Sequence, residues 1–122
     1  MESITYPAQI EKASLDLARV QSEAATLRER LAEIESILTL EIANAKSTEG
    51  KPLYSNEATR VAELVLRLRD DSDAKQVKDL LARADERRAQ LLAQQERLRG
   101  ELKLHLVHKH LEIESIYRSS IL

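Results

Sequence analysis

Four residues in the last quarter of the chain have the types and spacing to do chemistry. Glu101, His105, His108 and Glu112 stand at offsets of 0, 4, 7 and 11, which puts all four side chains within about 60° of one line along an α-helix. Two imidazoles and two carboxylates so arranged could hold Zn²⁺ or a similar ion, as His pairs on helices do. The pattern matches neither His-Glu-x-x-His nor the Glu-x-x-His repeats of carboxylate-bridged two-metal bundles. A solvated polar stripe accounts for the same residues with fewer requirements. No metal and no cofactor is therefore expected, and these four remain the only candidate ligands. His110 points roughly opposite and would not join them.

Other chemistries find less. Gly50-Lys51 resembles the end of a phosphate-binding loop, but the first glycine is missing and no strand precedes it. Arg83, Arg87, Arg88, Arg97 and Arg99 form the most basic stretch, yet they alternate with Asp85, Glu86 and Glu96 and have no aromatic neighbour for base stacking. A solvated face with ion pairs along the helix explains them, and a nucleic-acid surface is left without support. No nucleophile elbow is present, and the absence of Cys excludes thiol catalysis and disulfides. An enzyme is not expected.

The elements that would carry these residues are long helices. Ile10, Ala13, Leu17, Val20, Ala24, Leu27, Leu31, Ile34 and Leu38 follow one another in alternating steps of three and four. That spacing gathers them on the narrow apolar stripe of a coiled coil. The stripe predicts a helix over about 7–45, capped by Thr5 with Pro7 in its first turn, and drifting out of phase at Ile42. It should fail at Gly50, which tolerates left-handed backbone, and at Lys51, which Pro52 keeps out of the helical region. A second helix over 55–69, capped by Ser55, has Val61, Leu64, Val65 and Leu68 as its apolar face. Asp70-Asp71-Ser72-Asp73 interrupts the chain before a third helix over 72–117, since acids favour a helix start and disfavour a helix end. Its seam includes Val77, Leu81, Ala84, Leu91, Leu98 and Leu102, with Arg88 and Gln95 as polar intrusions and Gly100 as a weak point.

Composition agrees. The 122 residues are 43% hydrophobic and 33% charged, with no Phe or Trp, two Gly and two Pro, the profile of long helices rather than of a β-protein. Residues 1–50 carry nine acids and five bases, and 51–122 twelve acids and fourteen bases, so the halves lean to opposite signs. No segment is apolar enough to span a membrane and no secretion signal is evident, so a cytoplasmic protein is expected. The expected fold is all-α: a long antiparallel helical hairpin, coiled-coil in character, forming one domain over 1–122 with the short helix at its turn.

Two surfaces are left for recognition. The third helix places Leu98, Leu102, Leu106, Ile113 and Ile116 on one arc, and Leu104, Val107 and Leu111 on another. One partner helix cannot cover both, so the hairpins should assemble into an oligomeric bundle, a homodimer or tetramer, through Leu104, Val107 and Leu111. Ile37 and Leu40, off the main stripe of the first helix, lie near the turn in this hairpin, where Val61, Leu64, Val65 and Leu68 could cover them. At the turn, Leu53 and Tyr54 can plug the end of the bundle. With Asn56 and Arg60 they can also form a recognition tip for another protein.

The turn also carries a resemblance. Gly50-Lys51, Tyr54, Asn56-Glu57 and Arg60, set between an acidic-leaning helix and a charged coil, spell Gly-Lys-x-x-Tyr-x-Asn-Glu-x-x-Arg. In this the chain resembles small uncharacterised coiled-coil proteins of bacterial phages and prophages. The resemblance implies a bacterial cytoplasmic setting and an accessory role near DNA recombination, and supplies no catalytic residue. The chain departs from that pattern in its His-rich 104–110 segment, where an aromatic-containing coil is usual. The expected function is a non-enzymatic scaffold or adaptor for protein–protein interaction, accessory to phage or mobile-element DNA processing. The alternatives are a chaperone-like hairpin gripping clients at its tip, similar to prefoldins but with a shorter loop, and a metal-binding helical bundle.

Overall fold

The computed structural model describes residues 5–121. Among them the structure is all-α, with three helices and no strand: α1 (Thr5–Asn44), α2 (Glu57–Asp70) and α3 (Ser72–Ile121). None is long and apolar enough to cross a membrane. The chain divides into two compact units, Met1–Gln21 with Glu86–Leu122, and Ser22–Asp85.

In the first unit, the core is made by the apolar stripe of α1 facing that of α3. Ala13 and Val20 are buried and Ile10 and Leu17 half-buried, against buried Leu91 and Leu98. The stripe residues alternate in threes and fours because only that spacing holds one face of a helix against another. Thr5 is the first residue of α1 as described. Pro7 stands in the first described turn, where a missing N–H is tolerated. At the other end α3 runs four residues beyond its expected limit, because neither Gly nor Pro follows Tyr117 to stop it.

The second unit holds the end of α1, all of α2 and the start of α3. Ala24, Ile42, Ala74 and Val77 are its buried apolar residues. Ile42, expected to drift off the stripe, is only 2% exposed. Two successive steps of four, from Ile34 to Leu38 to Ile42, rotate the stripe slightly and keep it on the same side.

After α1 the backbone makes a miniature hairpin. The Leu53 N–H donates to the Ala45 carbonyl at 2.9 Å, the Ser47 N–H to Lys51 at 2.8 Å and the Gly50 N–H to Ser47 at 2.9 Å. Gly50 has φ +82°, the left-handed residue that a three-residue hairpin loop requires. The next cap is Asn56 rather than Ser55. Its Oδ1 accepts the Thr59 N–H at 2.8 Å, and Asn is as good a cap as Ser.

Between α2 and α3 the interruption is a single residue. Asp71 adopts extended backbone (φ −71°, ψ 123°) while its N–H still donates to the Arg67 carbonyl. Its Oδ1 accepts the Ala74 N–H at 2.8 Å. It therefore ends one helix and caps the next.

The expected cover over Ile37 and Leu40 is absent. Both are more than half exposed, and so are Val61 and Val65. The face of α2 that is partly buried comprises Glu63, Leu64, Arg67 and Leu68. Arg67 bonds Glu63 at 2.9 Å and reaches Glu41 of α1 at 3.9 Å, so the contact of α2 with α1 is half polar.

Candidate functional site

The four residues of the His/Glu cluster all lie on α3. Counting from Ala74 in steps of three and four reaches Val77, Leu81, Ala84, Arg88, Leu91, Gln95, Leu98, Leu102 and then His105. His105 is thus a residue of the α3 seam, half-buried. Its ring lies 6.0 Å from that of Tyr6, tilted by 49°, and its Nε2 is buried with no hydrogen-bond partner. Glu101 pairs with Arg97 at 3.7 Å, and His108 and Glu112 are exposed. Among the described residues no group of three or more His, Cys, Asp or Glu is placed to hold a metal ion.

Gln95 does not weaken the seam as a polar intrusion. It is buried, and its Nε2 donates to the Ser14 Oγ at 2.6 Å. Tyr6 and Ser14 are the two residues of this region that sequence reasoning missed. Tyr6 could have been found by extending the α1 stripe back four residues from Ile10. Ser14 lies beside the stripe and gives no apolar signal.

At the turn, the residues that carried the recognition reading are occupied with local structure. Asn56 caps α2. Arg60 donates from Nε to the Tyr54 carbonyl at 3.1 Å and from a terminal nitrogen to the Ser55 carbonyl at 3.3 Å. Tyr54 is half-buried, with the Arg67 guanidinium 5.9 Å from its ring centroid, within cation–π range. Hydrogen bonding to Glu63 first and to Tyr54 second raises the Arg67 guanidinium above its ordinary pKa. Leu53 does not plug the bundle end and is more than half exposed. A shallow groove of about 320 Å³ lies between the end of α1 and α2, lined by Thr39, Ile42, Ala43, Glu57, Arg60, Val61 and Leu64.

Among the described residues a long uncovered apolar run lies on α3. Leu104, Leu106, Val107, Leu111, Ile113, Ile116 and Tyr117 are 48–69% exposed, and every residue from 106 to 120 is exposed. Leu106, Ile113, Ile116 and Tyr117 prolong the stripe that packs on α1 farther up the helix. Leu104, Val107 and Leu111 lie on the other side, by the 100° turn per residue. Isolated exposed leucines are ordinary on a protein surface, whereas this run is contiguous and lies on two sides of one helix. Compared with known proteins, the sequence matches no family model, and no curated protein or solved structure is significantly similar to it.

Proposed function

We propose that the protein is a non-enzymatic scaffold or adaptor, built as an antiparallel helical hairpin of coiled-coil character that associates with further copies and with another protein. The hairpin reading is supported by contacts within each unit. Tyr6 lies beside His105 and Ser14 bonds Gln95 in one, and Arg28 pairs with Asp85 at 3.5 Å in the other. Higher numbers on α1 meet lower numbers on α3, as an antiparallel pair requires. The observation that carries the interaction reading is the exposed apolar run of α3 over 104–117. The motif at residues 50–60 adds the proposal of a phage or mobile-element setting in the bacterial cytoplasm, for which a salt-sensitive shift of DNA on a gel would argue.

Light scattering over a concentration series tests the assembly. Self-association gives a mass that rises above 13.9 kDa towards two or four times that value at tens of micromolar, and a constant monomer mass defeats it. The hairpin has a separate test. The chain lacks cysteine, so a short bifunctional thiol crosslinker should join Ser14→Cys to Gln95→Cys within one chain, because the two side chains are in hydrogen-bond contact.

A further inference from the structure

Arg97, Gly100, Leu104, Val107, Leu111 and Glu114 follow one another along α3 in steps of three, four, three, four and three. This is the spacing of a second coiled-coil seam, on the side of the helix away from Leu98 and Leu102. All six residues are exposed. The stripe is basic at one end, where Arg97 also pairs with Glu101 of its own helix at 3.7 Å, acidic at the other and apolar between.

We infer that this stripe pairs with the same stripe of a second copy of the chain, antiparallel, about a two-fold axis level with His105 and Leu106. The inference rests on the self-assembly proposed above and gives it a surface and a direction. The direction follows from charge. A parallel pair in register sets Arg97 against Arg97 and Glu114 against Glu114, whereas the antiparallel pair sets Arg97 of each copy level with Glu114 of the other. The flanks do not decide it: one edge brings Glu101 towards His108 and the other Lys103 towards His110.

The same register gives Gly100 a role. In the middle of a helix glycine costs about 1 kcal/mol relative to alanine. A Cβ built at Gly100 would meet nothing within 4 Å, so packing within the chain does not require a glycine there. In the antiparallel register Leu111 of the second copy lies over Gly100, where a missing side chain admits a large one. Leu104 lies level with Val107 at the centre. The stripe is about 26 Å long by helical rise. One helix pair of that length buries less than the roughly 800 Å² per partner of a standard interface, so association should be concentration-dependent.

Full-length Gly100→Cys and Leu111→Cys variants test the geometry. In the antiparallel pair the two copies of either cysteine stand eleven residues apart, about 16 Å along the axis, beyond disulfide reach. Each variant alone should stay unlinked under mild oxidation, and an equimolar mixture should give a disulfide-linked dimer. Charge exchange is the second test, independent of any effect of filling Gly100. Sedimentation should show Arg97→Glu and Glu114→Arg each weakening the dimer by about threefold to tenfold, as two exposed ion pairs are replaced by repulsions. The Arg97→Glu/Glu114→Arg double variant should regain the original affinity. Linking of Leu111→Cys alone as efficiently as the mixture, or a double variant weaker than both singles, overturns this surface and leaves self-assembly standing. A monomer mass at every concentration overturns both.

Discussion

His105 is the residue at which spacing and packing give different answers. Its offsets from Glu101, His108 and Glu112 are those of a metal stripe, and its offset from Leu102 is that of the next seam residue. The ring is held against Tyr6 and its Nε2 reaches no partner. An unpaired buried polar atom costs about 1–3 kcal/mol, so His105 weakens the seam it belongs to. His105→Leu should therefore stabilise the chain by about 1 kcal/mol, read as a higher urea midpoint with an unchanged slope. A lower midpoint would mean that Nε2 has a partner in solution. Gln95 is the opposite case. It is just as polar, but its bond to Ser14 satisfies it, and one paired polar residue in an apolar seam fixes the register of the two helices.

At the scale of elements, Asp71 bears more than its place in an acidic run suggested. It closes the last turn of α2 through its N–H and opens α3 through its carboxylate. Asp71→Ala keeps the backbone bond and loses the cap, which should cost about 1–2 kcal/mol. Asp71→Asn should cost much less, because Asn caps as well as Asp. Equal losses for both substitutions, measured by urea unfolding, would assign the effect to charge rather than to the cap. The helices themselves were legible in the sequence. Every α1 residue named from the three-four alternation is buried or half-buried, because a long helix facing another leaves its pattern in every turn. The packing of α2 was not legible. Its inward face mixes Leu64 and Leu68 with Glu63 and Arg67, and a hydrophobic pattern cannot show that an ion pair anchored by Tyr54 and Glu41 takes the place of Val61 and Val65. The turn was half legible: Gly50 announced its left-handed backbone, while the Arg60 contacts to two carbonyls depend on a loop path that spacing does not encode.

For the molecule as a whole, the balance of charge between its halves explains little of what joins them. The Glu41–Arg67 pair follows the acidic lean of α1, and Arg28–Asp85 runs against it. Exposed pairs of this kind contribute about 0–1 kcal/mol each. Apolar burial must do most of the work, and it is unevenly spread. Ala13, Val20, Ala24, Ile42, Ala74, Val77, Leu91 and Leu98 are all buried, whereas residues 106–120 of α3 bury none of their apolar side chains. A segment with no buried contacts adds little to the cooperative unit and frays at low cost. Ending the chain after His105 should therefore leave the unfolding midpoint of a dilute sample nearly unchanged, while circular dichroism loses the signal of about sixteen helical residues. In concentrated samples the same truncation should abolish self-association, because Val107, Leu111 and Glu114 go with it. A large fall in the dilute midpoint would show that the segment packs against its own chain, and the apolar run could then no longer be read as an interface.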